Sequence, residues 1–219
     1  MTTLLSRDRA AATGQLPLLH HAMGRNPLVP GLTAVVAINL DRSHSDGIRL
    51  TGWVSIVSPT VAQVVASLPA EARQTFLSLG DEYGEIDSCK FDLGQEAAYA
   101  PAFGMWDAGD ITGGVQWVMK YVDGPMAAWL AKRGTLPALL ETAREPATVS
   151  WETNPDPTLL RGVVVLCALV GRAHEAATLM QWYLQRDTLH RWDSREDASL
   201  WDAALRERFP DYAAARVAG

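Results

Sequence analysis

Cysteine is scarce in this sequence, and its scarcity excludes two classes of protein. Only Cys89 and Cys167 are present. They lie far apart, they form no Cys-x-x-Cys pair, and no pair of histidines lies near either of them. Small disulfide scaffolds and structural zinc sites both need more thiols at closer spacing. We therefore expect a cytoplasmic protein with reduced cysteines and no structural metal.

Long apolar runs and an excess of positive charge are also missing. The longest apolar run, at 163–170, is much shorter than the roughly 20 residues that span a bilayer. The first residues carry Arg7, Asp8 and Arg9 where an export signal has its apolar stretch, so export is not expected. The formal charge is −6, whereas binding a polyphosphate needs a cationic face. We expect no membrane and no nucleic acid among the partners.

Cofactor and metal motifs are missing as well. The glycines at 109–114 are not followed by the Lys and Ser or Thr of a phosphate-binding loop, and no Gly-x-Gly-x-x-Gly occurs. His20 and His21 are adjacent, which on a helix would point them about 100° apart. His174 lacks the second histidine that a zinc-protease helix carries four residues on. The sequence therefore predicts no cofactor and no metal.

Alternating residues between 32 and 57 predict two antiparallel strands. Apolar side chains occupy every second position in LTAVVAINL (32–40) and in much of GIRLTGWVSIV (47–57), which is the period of a strand. The polar segment DRSHSDG between them is typical of a hairpin turn. A similar alternation predicts a third strand at 86–93. Together these strands form a small antiparallel sheet in the N-terminal half.

Helical periodicity covers most of the remaining sequence. Two short helices are predicted at about 3–12 and 16–23. Later helices begin at four residues that favour the N-cap position, each followed by an apolar stripe: Ser58, Thr135, Asp156 and Ser194. Helix breaks are predicted at three places: Gly124–Pro125, Gly171 and Pro210.

Strands gathered early and helices gathered late define an α+β class rather than an alternating β-α-β fold. We predict one domain over 1–219, with an α+β layer at about 1–145 and a helical layer at about 157–210. A proline-rich joint, EPATVSWETNPDP, lies between the layers. The sequence leaves open whether this joint divides two domains or links two layers of one, and it leaves the oligomeric state open.

The hairpin turn contains the residue types of a hydrolase triad. Ser43, His44 and Asp46 are near neighbours. Triads converge from separated segments, whereas short polar residues and glycine are common in turns because they bond their own backbone. We therefore interpret DRSHSDG as a turn. The alternative is a hydrolase whose residues meet only in the fold, with Ser43, His44, His190 and Asp193 as candidates.

An acidic segment and a loop tryptophan are the predicted partner-binding residues. Tryptophan anchors many interfaces, and acidic residues steer basic partners toward a surface. Four of the eight tryptophans fall on or beside helical stripes and are expected in the core: Trp117, Trp129, Trp182 and Trp201. Trp106 is a better surface candidate because it adjoins Asp107 in a predicted loop. The predicted binding set is Asp81, Glu82, Glu85, Asp87, Asp92, Trp106 and Asp107.

Three segments carry a family resemblance: the hairpin VVAINLDRSHSDGIRLTGWVSIV, the block that begins MWDAGDITGGVQWVMKYVDG, and the closing LLRGVVVLCALVGRAHEAATLMQWYL. Together they resemble a loosely defined group of small bacterial α+β proteins of unknown function. The turn has Asp and Arg where that group usually has Gln. Some members are thought to lie beside toxin genes, as immunity proteins do. The resemblance implies an immunity-like or regulatory protein.

The leading functional prediction is therefore a non-enzymatic cytoplasmic protein that binds a protein partner, which the acidic segment predicts to be basic. The hydrolase described above is the alternative from the enzyme class. A third alternative is a helical scaffold that binds a peptide through 157–209.

Overall fold

The computed structural model describes residues 18–22, 32–41, 48–73, 84–92, 105–106, 113, 116, 119–120, 122–147 and 153–218. Two units divide the chain, and they alternate along the sequence. The first unit comprises residues 1–26, 33–56 and 88–131, and the second comprises residues 27–32, 57–87 and 132–219. The proline-rich joint thus falls inside the second unit. The prediction of a single domain stays a prediction.

Five strands form one sheet: β1 (Leu18–Ala22), β2 (Thr33–Asp41), β3 (Ile48–Val57), β4 (Glu85–Asp92) and β5 (Met105–Trp106). Their order is β1-β2-β3-β4, and β5 pairs with β3. β1 is antiparallel to β2, and β5 is antiparallel to β3, with Ile48 opposite Trp106. The predicted hairpin and third strand are confirmed, and β1 and β5 were not predicted. The chain has the α+β class that the sequence predicts.

At the open end of the hairpin, β2 follows the expected alternation and β3 departs from it. In β2, Ala34 and Val36 are buried while Thr33 is exposed, as a period of two requires. At the end of β3, however, Val54, Ser55 and Ile56 are all buried. Both faces of β3 are therefore covered there, which explains why a polar residue interrupts the apolar pattern without reaching solvent.

The helix predicted at 16–23 is wrong, because Leu18–Ala22 forms β1. An isolated helix of this length is unstable, since nucleation costs more than the few helical hydrogen bonds return. Pairing with β2 satisfies the same backbone groups in a ladder that runs from Leu18 opposite Ile38 to Ala22 opposite Val35. The helix predicted at 3–12 lies outside the described residues.

Eight α-helices are described: α1 (Pro59–Ser67), α2 (Ala70–Arg73), α3 (Ala127–Ala131), α4 (Leu136–Thr142), α5 (Pro157–Leu169), α6 (Ala173–Leu184), α7 (Arg195–Arg208) and α8 (Pro210–Ala218). The four predicted N-caps are confirmed, because each side chain accepts a backbone N–H of its helix: Ser58, Thr135, Asp156 and Ser194. These bonds satisfy donors that the first turn of a helix leaves open.

One of these three predicted helix breaks, Gly124–Pro125, differs from expectation. Gly171 ends α5 as predicted: its φ is 78°, and Arg172 N–H donates to Cys167 O in a Schellman motif. Gly124 and Pro125 lie within a π-helical turn, Val122–Met126, that continues into α3. Pro210 ends α7 but also begins α8, because proline has no N–H to lose at the first position of a helix.

The core of the second unit is built around α5. Its residues from Leu159 to Cys167 are buried without a break, so this helix has no solvent-facing stripe. α5 packs against α1, α4 and α6, and α6 packs against α7 and α8. The largest buried side chains come from these later helices and include Tyr183, Trp201 and Tyr212. The second unit, which we call the helical unit, therefore has a continuous apolar core of its own.

A buried carboxylate joins the last two helices. Asp202 on α7 accepts hydrogen bonds from the Tyr212 hydroxyl at 2.5 Å, from Arg216 Nε and Nη2, each at 3.0 Å, and from Arg206. Burial alone would raise the pKa of Asp202, but these hydrogen bonds outweigh burial and lower it. α8 is thus held by charge as well as by packing.

Candidate partner-binding surface

The predicted acidic site is only partly within the described structure. Three of its residues lie outside the described ranges: Asp81, Glu82 and Asp107. Asp92 ends β4, and Trp106 lies in β5 rather than in the predicted loop. Glu85 begins β4 and is half-buried.

Asp87 forms an ion pair within the second unit. Its Oδ2 atom lies 2.5 Å from Arg133 Nε, and the two side chains are 14% and 8% exposed. A pair this well shielded from water fixes the start of β4 against the segment that precedes α4. The Asp87 carboxylate therefore contributes to the fold, and its charge is already balanced.

A different surface is formed by the connection between α6 and α7. We call residues 185–194 the anchored loop, because three sets of hydrogen bonds hold it. A surface loop of ten residues loses much conformational entropy when it is ordered. Fixed contacts along its length are therefore needed to keep it in one conformation.

The deepest anchor is a buried charged cluster at the end of the loop. Asp193 Oδ1 accepts from Arg161 Nη2 at 2.6 Å, and Asp193 Oδ2 accepts from the Tyr183 hydroxyl at 2.7 Å. The side chains of Arg161 and Asp193 are fully buried, and the Arg161 guanidinium lies 5.3 Å from the centre of the Trp201 ring. Burial lowers the pKa of Arg161, and Asp193 opposes that shift. Burial, with the Asp193 carboxylate beside it, raises the pKa of Tyr183.

Asn154 holds the first half of the loop. Its Nδ2 atom donates to Leu189 O at 3.1 Å, and its Oδ1 atom accepts from Arg186 Nη2 at 3.2 Å and from the Thr188 hydroxyl at 3.3 Å. Asn154 itself is 7% exposed. One buried amide thus connects three points of the loop to the chain that leads into α5.

Arg195, the first residue of α7, holds the start of the loop. Its guanidinium donates to the carbonyls of Leu184 and Arg186. Both carbonyls lie at the C-terminal end of α6, where a helix leaves acceptors without partners and where its dipole favours a positive charge. The first residue of α7 therefore caps the preceding helix and sets the distance that the anchored loop spans.

The loop presents an exposed tryptophan. Trp192 is 64% exposed, and the Arg191 guanidinium lies 4.6 Å from the centre of its ring. Its backbone N–H donates to His190 Nδ1 at 3.3 Å, and His190 is buried. The indole is held at its base and open to solvent at its face, which is the geometry of an interface anchor.

An open cleft of about 370 Å³ lies at the start of the loop. It is lined by Trp182, Gln185, Arg186, Asp187 and Thr188. The guanidinium of Arg186 lies 5.0 Å from the centre of the Trp182 ring. A second guanidinium, that of Arg144 on the segment after α4, lies 5.8 Å from the same ring. The cleft therefore combines an aromatic surface with positive charge.

The burial of the tryptophans differs from the sequence prediction at this cleft. Trp201 is fully buried, as expected, whereas Trp182 is partly exposed. Its position beside the stripe of α6 leaves one side of the ring on the surface. The sequence WYLQR (182–186) indicates this exposure, because the apolar stripe of α6 ends there and Arg186 follows Trp182 within about one helical turn. Trp192 gave no periodic signal, because it lies in a loop.

The residues of the hydrolase alternative have other contacts. Both carboxylate oxygens of Asp193 accept hydrogen bonds from Arg161 and Tyr183, and His190 Nδ1 accepts from a backbone N–H. These bonds account for the positions of Asp193 and His190 as parts of the loop anchor. Ser43 and His44 lie outside the described residues.

Within the described residues, no group of three or more His, Cys, Asp or Glu side chains is placed to hold a metal ion. In the same part of the chain, no helix combines the length and the apolar character needed to cross a bilayer.

The fold and the surface define the class of this chain: an α+β protein whose helical unit presents an anchored loop and an aromatic, cationic cleft. Comparisons with known protein families, with characterised proteins and with solved structures find no match to it.

Proposed function

We propose that this chain is a non-enzymatic protein that binds a protein partner, and that the anchored loop of the helical unit is the binding surface. The observation that carries the proposal is Trp192, which is 64% exposed on a loop held by buried contacts. Binding is favoured when a surface loop is already ordered, because the entropy of ordering it is not lost on association. The resemblance to immunity-like proteins supports a neutralising or regulatory role.

The cytoplasm is the proposed location. Cys167 is buried in α5 and forms no disulfide, and burial raises its pKa to about 12. A protonated thiol in an apolar core reacts poorly, and unpaired cysteines are usual in a reducing compartment.

The test begins with a tagged pull-down from a lysate of the source cells and identification of the bound protein by mass spectrometry. Affinity is then measured by calorimetry with the purified partner. We expect Trp192→Ala to weaken binding about 30-fold, the effect of losing an anchor worth about 2 kcal/mol. Leu200→Ala is the matched control, because Leu200 is an exposed apolar residue on α7, outside the loop. Equal effects of the two substitutions would contradict the proposal.

The acidic segment at 81–92 remains part of the proposal as a steering element. Its role is to attract basic groups of the partner over distances of about a Debye length, which affects association rate more than final affinity. Reversing the charge of Asp81, Glu82 and Glu85 together should slow association at low salt and change dissociation little. Stopped-flow kinetics at two salt concentrations measures this, and an unchanged association rate would remove the segment from the proposal.

The alternative hypothesis is that the chain is a hydrolase, and an experiment must distinguish the two. A screen with esterase, phosphatase and nuclease substrates, with and without divalent metals, makes the distinction. Reproducible turnover that is lost in His190→Ala or His44→Ala, with folding retained, would favour the enzyme.

A further inference from the structure

Positive charge exceeds negative charge at the cleft beside the anchored loop when the adjoining Arg144 is included. In the described part of the chain, neither Arg144 nor Arg186 forms an ion pair. The negative charge among the cleft's lining residues is the single carboxylate of Asp187. Arg144 donates Nη1 to Leu140 O at 3.0 Å, and Arg186 donates Nη2 to Asn154. The hydrogen bonds of the described residues leave Arg144 Nη2 and Arg186 Nη1 unused.

Arg186 is prepared to bind an anion. Its Nε atom is buried, so a ligand in the cleft can reach only the terminal nitrogens of the guanidinium. Its Nη2 atom is fixed by Asn154, and its guanidinium lies by the Trp182 ring, so the planar fork has few orientations left. A fork of this kind pairs with a carboxylate through two parallel hydrogen bonds, and ordering it beforehand lowers the entropy lost on binding.

The remaining lining groups suit a peptide backbone. The Thr188 hydroxyl donates to Asn154, which leaves its oxygen lone pairs to accept a peptide N–H. Asp187 is an acceptor as well, and the Gln185 amide can donate and accept. A small-molecule site is usually enclosed and mostly apolar, whereas this cleft is open and four of its five lining side chains are polar.

We propose that the cleft binds an extended polypeptide segment through a carboxylate side chain. Arg186 pairs with the carboxylate, and Arg144 adds a second positive charge beside the Trp182 ring. A polyphosphate is disfavoured, because Asp187 lies in the cleft and the whole chain carries a formal charge of −6. This inference rests on the proposed function, since it names the chemistry by which a protein partner is recognised.

The test uses the full chain labelled with ¹⁵N and follows the indole N–H signals, with Trp182→Phe identifying the signal of Trp182. The probe is an acetylated and amidated decapeptide of glycine, serine and three glutamates. We expect a saturable shift of the Trp182 signal with a dissociation constant of about 1 mM or tighter. The same peptide with glutamine in place of glutamate should bind at least about tenfold more weakly.

Three arginine variants separate a specific pair from general charge. Arg186→Gln should weaken binding of the glutamate peptide about tenfold or more, and Arg144→Gln should weaken it by a smaller factor. Arg208→Gln is the matched control and should leave binding unchanged. Arg208 is an exposed arginine of the same unit, 5.6 Å from the Phe209 ring, and is outside the cleft. Circular dichroism establishes that each variant is folded.

Several results would overturn the inference. They are no saturable shift with the glutamate peptide, an equal loss in Arg208→Gln, or binding of inorganic phosphate or of a ten-nucleotide oligothymidylate as tight as that of the peptide. If the glutamate peptide fails while Trp192→Ala still weakens the natural partner, the proposed function stands and only this inference falls.

Discussion

The buried Arg161–Asp193 pair gives the sharpest prediction about the helical unit. Replacing Asp193 by alanine leaves the Arg161 guanidinium in the core without the carboxylate that lies 2.6 Å away, at a place where both side chains are fully buried. Removing one member of a buried pair typically costs about 3 to 5 kcal/mol, because the remaining charge stays desolvated. The Tyr183 hydroxyl also loses its acceptor, and an unsatisfied buried group costs about 1 to 3 kcal/mol.

These two losses share one carboxylate, so they do not add fully. We expect Asp193→Ala to lower the free energy of unfolding by about 4 to 5 kcal/mol, a large share of the roughly 5 to 15 kcal/mol that holds a typical domain. Tyr183→Phe keeps the ion pair and removes one hydrogen bond, so we expect a loss of about 1 to 2 kcal/mol.

The assay is denaturation by guanidinium chloride at neutral pH, followed by circular dichroism, which reports chiefly on the helices. Glu175→Ala is the control, because its pair with Arg172 is more than one-third exposed on both sides and should leave the unfolding midpoint unchanged. A loss in Asp193→Ala below about 1.5 kcal/mol, or a loss no larger than that of Tyr183→Phe, would refute the argument that the pair is buried and essential.

Four further substitutions test other parts of the second unit. Asp202 has a lowered pKa in the folded protein, so it contributes stability above about pH 4 that is lost as the pH falls through the folded pKa. Asp202→Asn should therefore flatten the acid side of a plot of unfolding midpoint against pH, and an unchanged slope would contradict this. Asn154→Ala should speed hydrogen exchange of the anchored-loop amides far more than that of α5, whereas uniform acceleration would mean global destabilisation instead. Gly171→Ala should cost about 1 kcal/mol, the strain of a positive φ in open space. Gly84→Ala should lower the melting temperature more, because its Cβ would lie 2.3 Å from Ser58 O, and equal effects would count against that contact.

Local chemistry explains which parts of the fold could be predicted. Ser58, Thr135, Asp156 and Ser194 cap helices through bonds to residues two or three positions away, so the sequence contains the whole interaction. The hairpin could also be predicted, because its alternating apolar residues occur in two strands that follow one another in the sequence. β1 was missed because its partner is distant: a strand of five residues is set by pairing with β2 and not by its own pattern.

The proposed binding surface was missed for a related reason. Trp192 and Arg186 have no periodic signature, and they become a surface only when the loop that carries them is fixed. The residues that fix it, Asn154 and Arg161, lie 32 or more positions away in sequence from their partners on the loop. Acidic residues and loop tryptophans have the chemical types that suit an interface, but the sequence does not reveal that Asp87 is paired with Arg133.

The choice of polar anchors over apolar ones bears on function. A buried charged pair contributes little stability compared with apolar residues of similar volume, so Arg161→Met combined with Asp193→Leu should recover most of the stability lost in Asp193→Ala. The double variant would still lack the bonds that fix the end of the anchored loop beside Trp192. We therefore expect near-normal unfolding, faster hydrogen exchange in the loop and weaker binding of the partner. If the double variant binds as tightly as the natural chain, the buried pair serves stability alone, and Trp192 does not depend on it for its orientation.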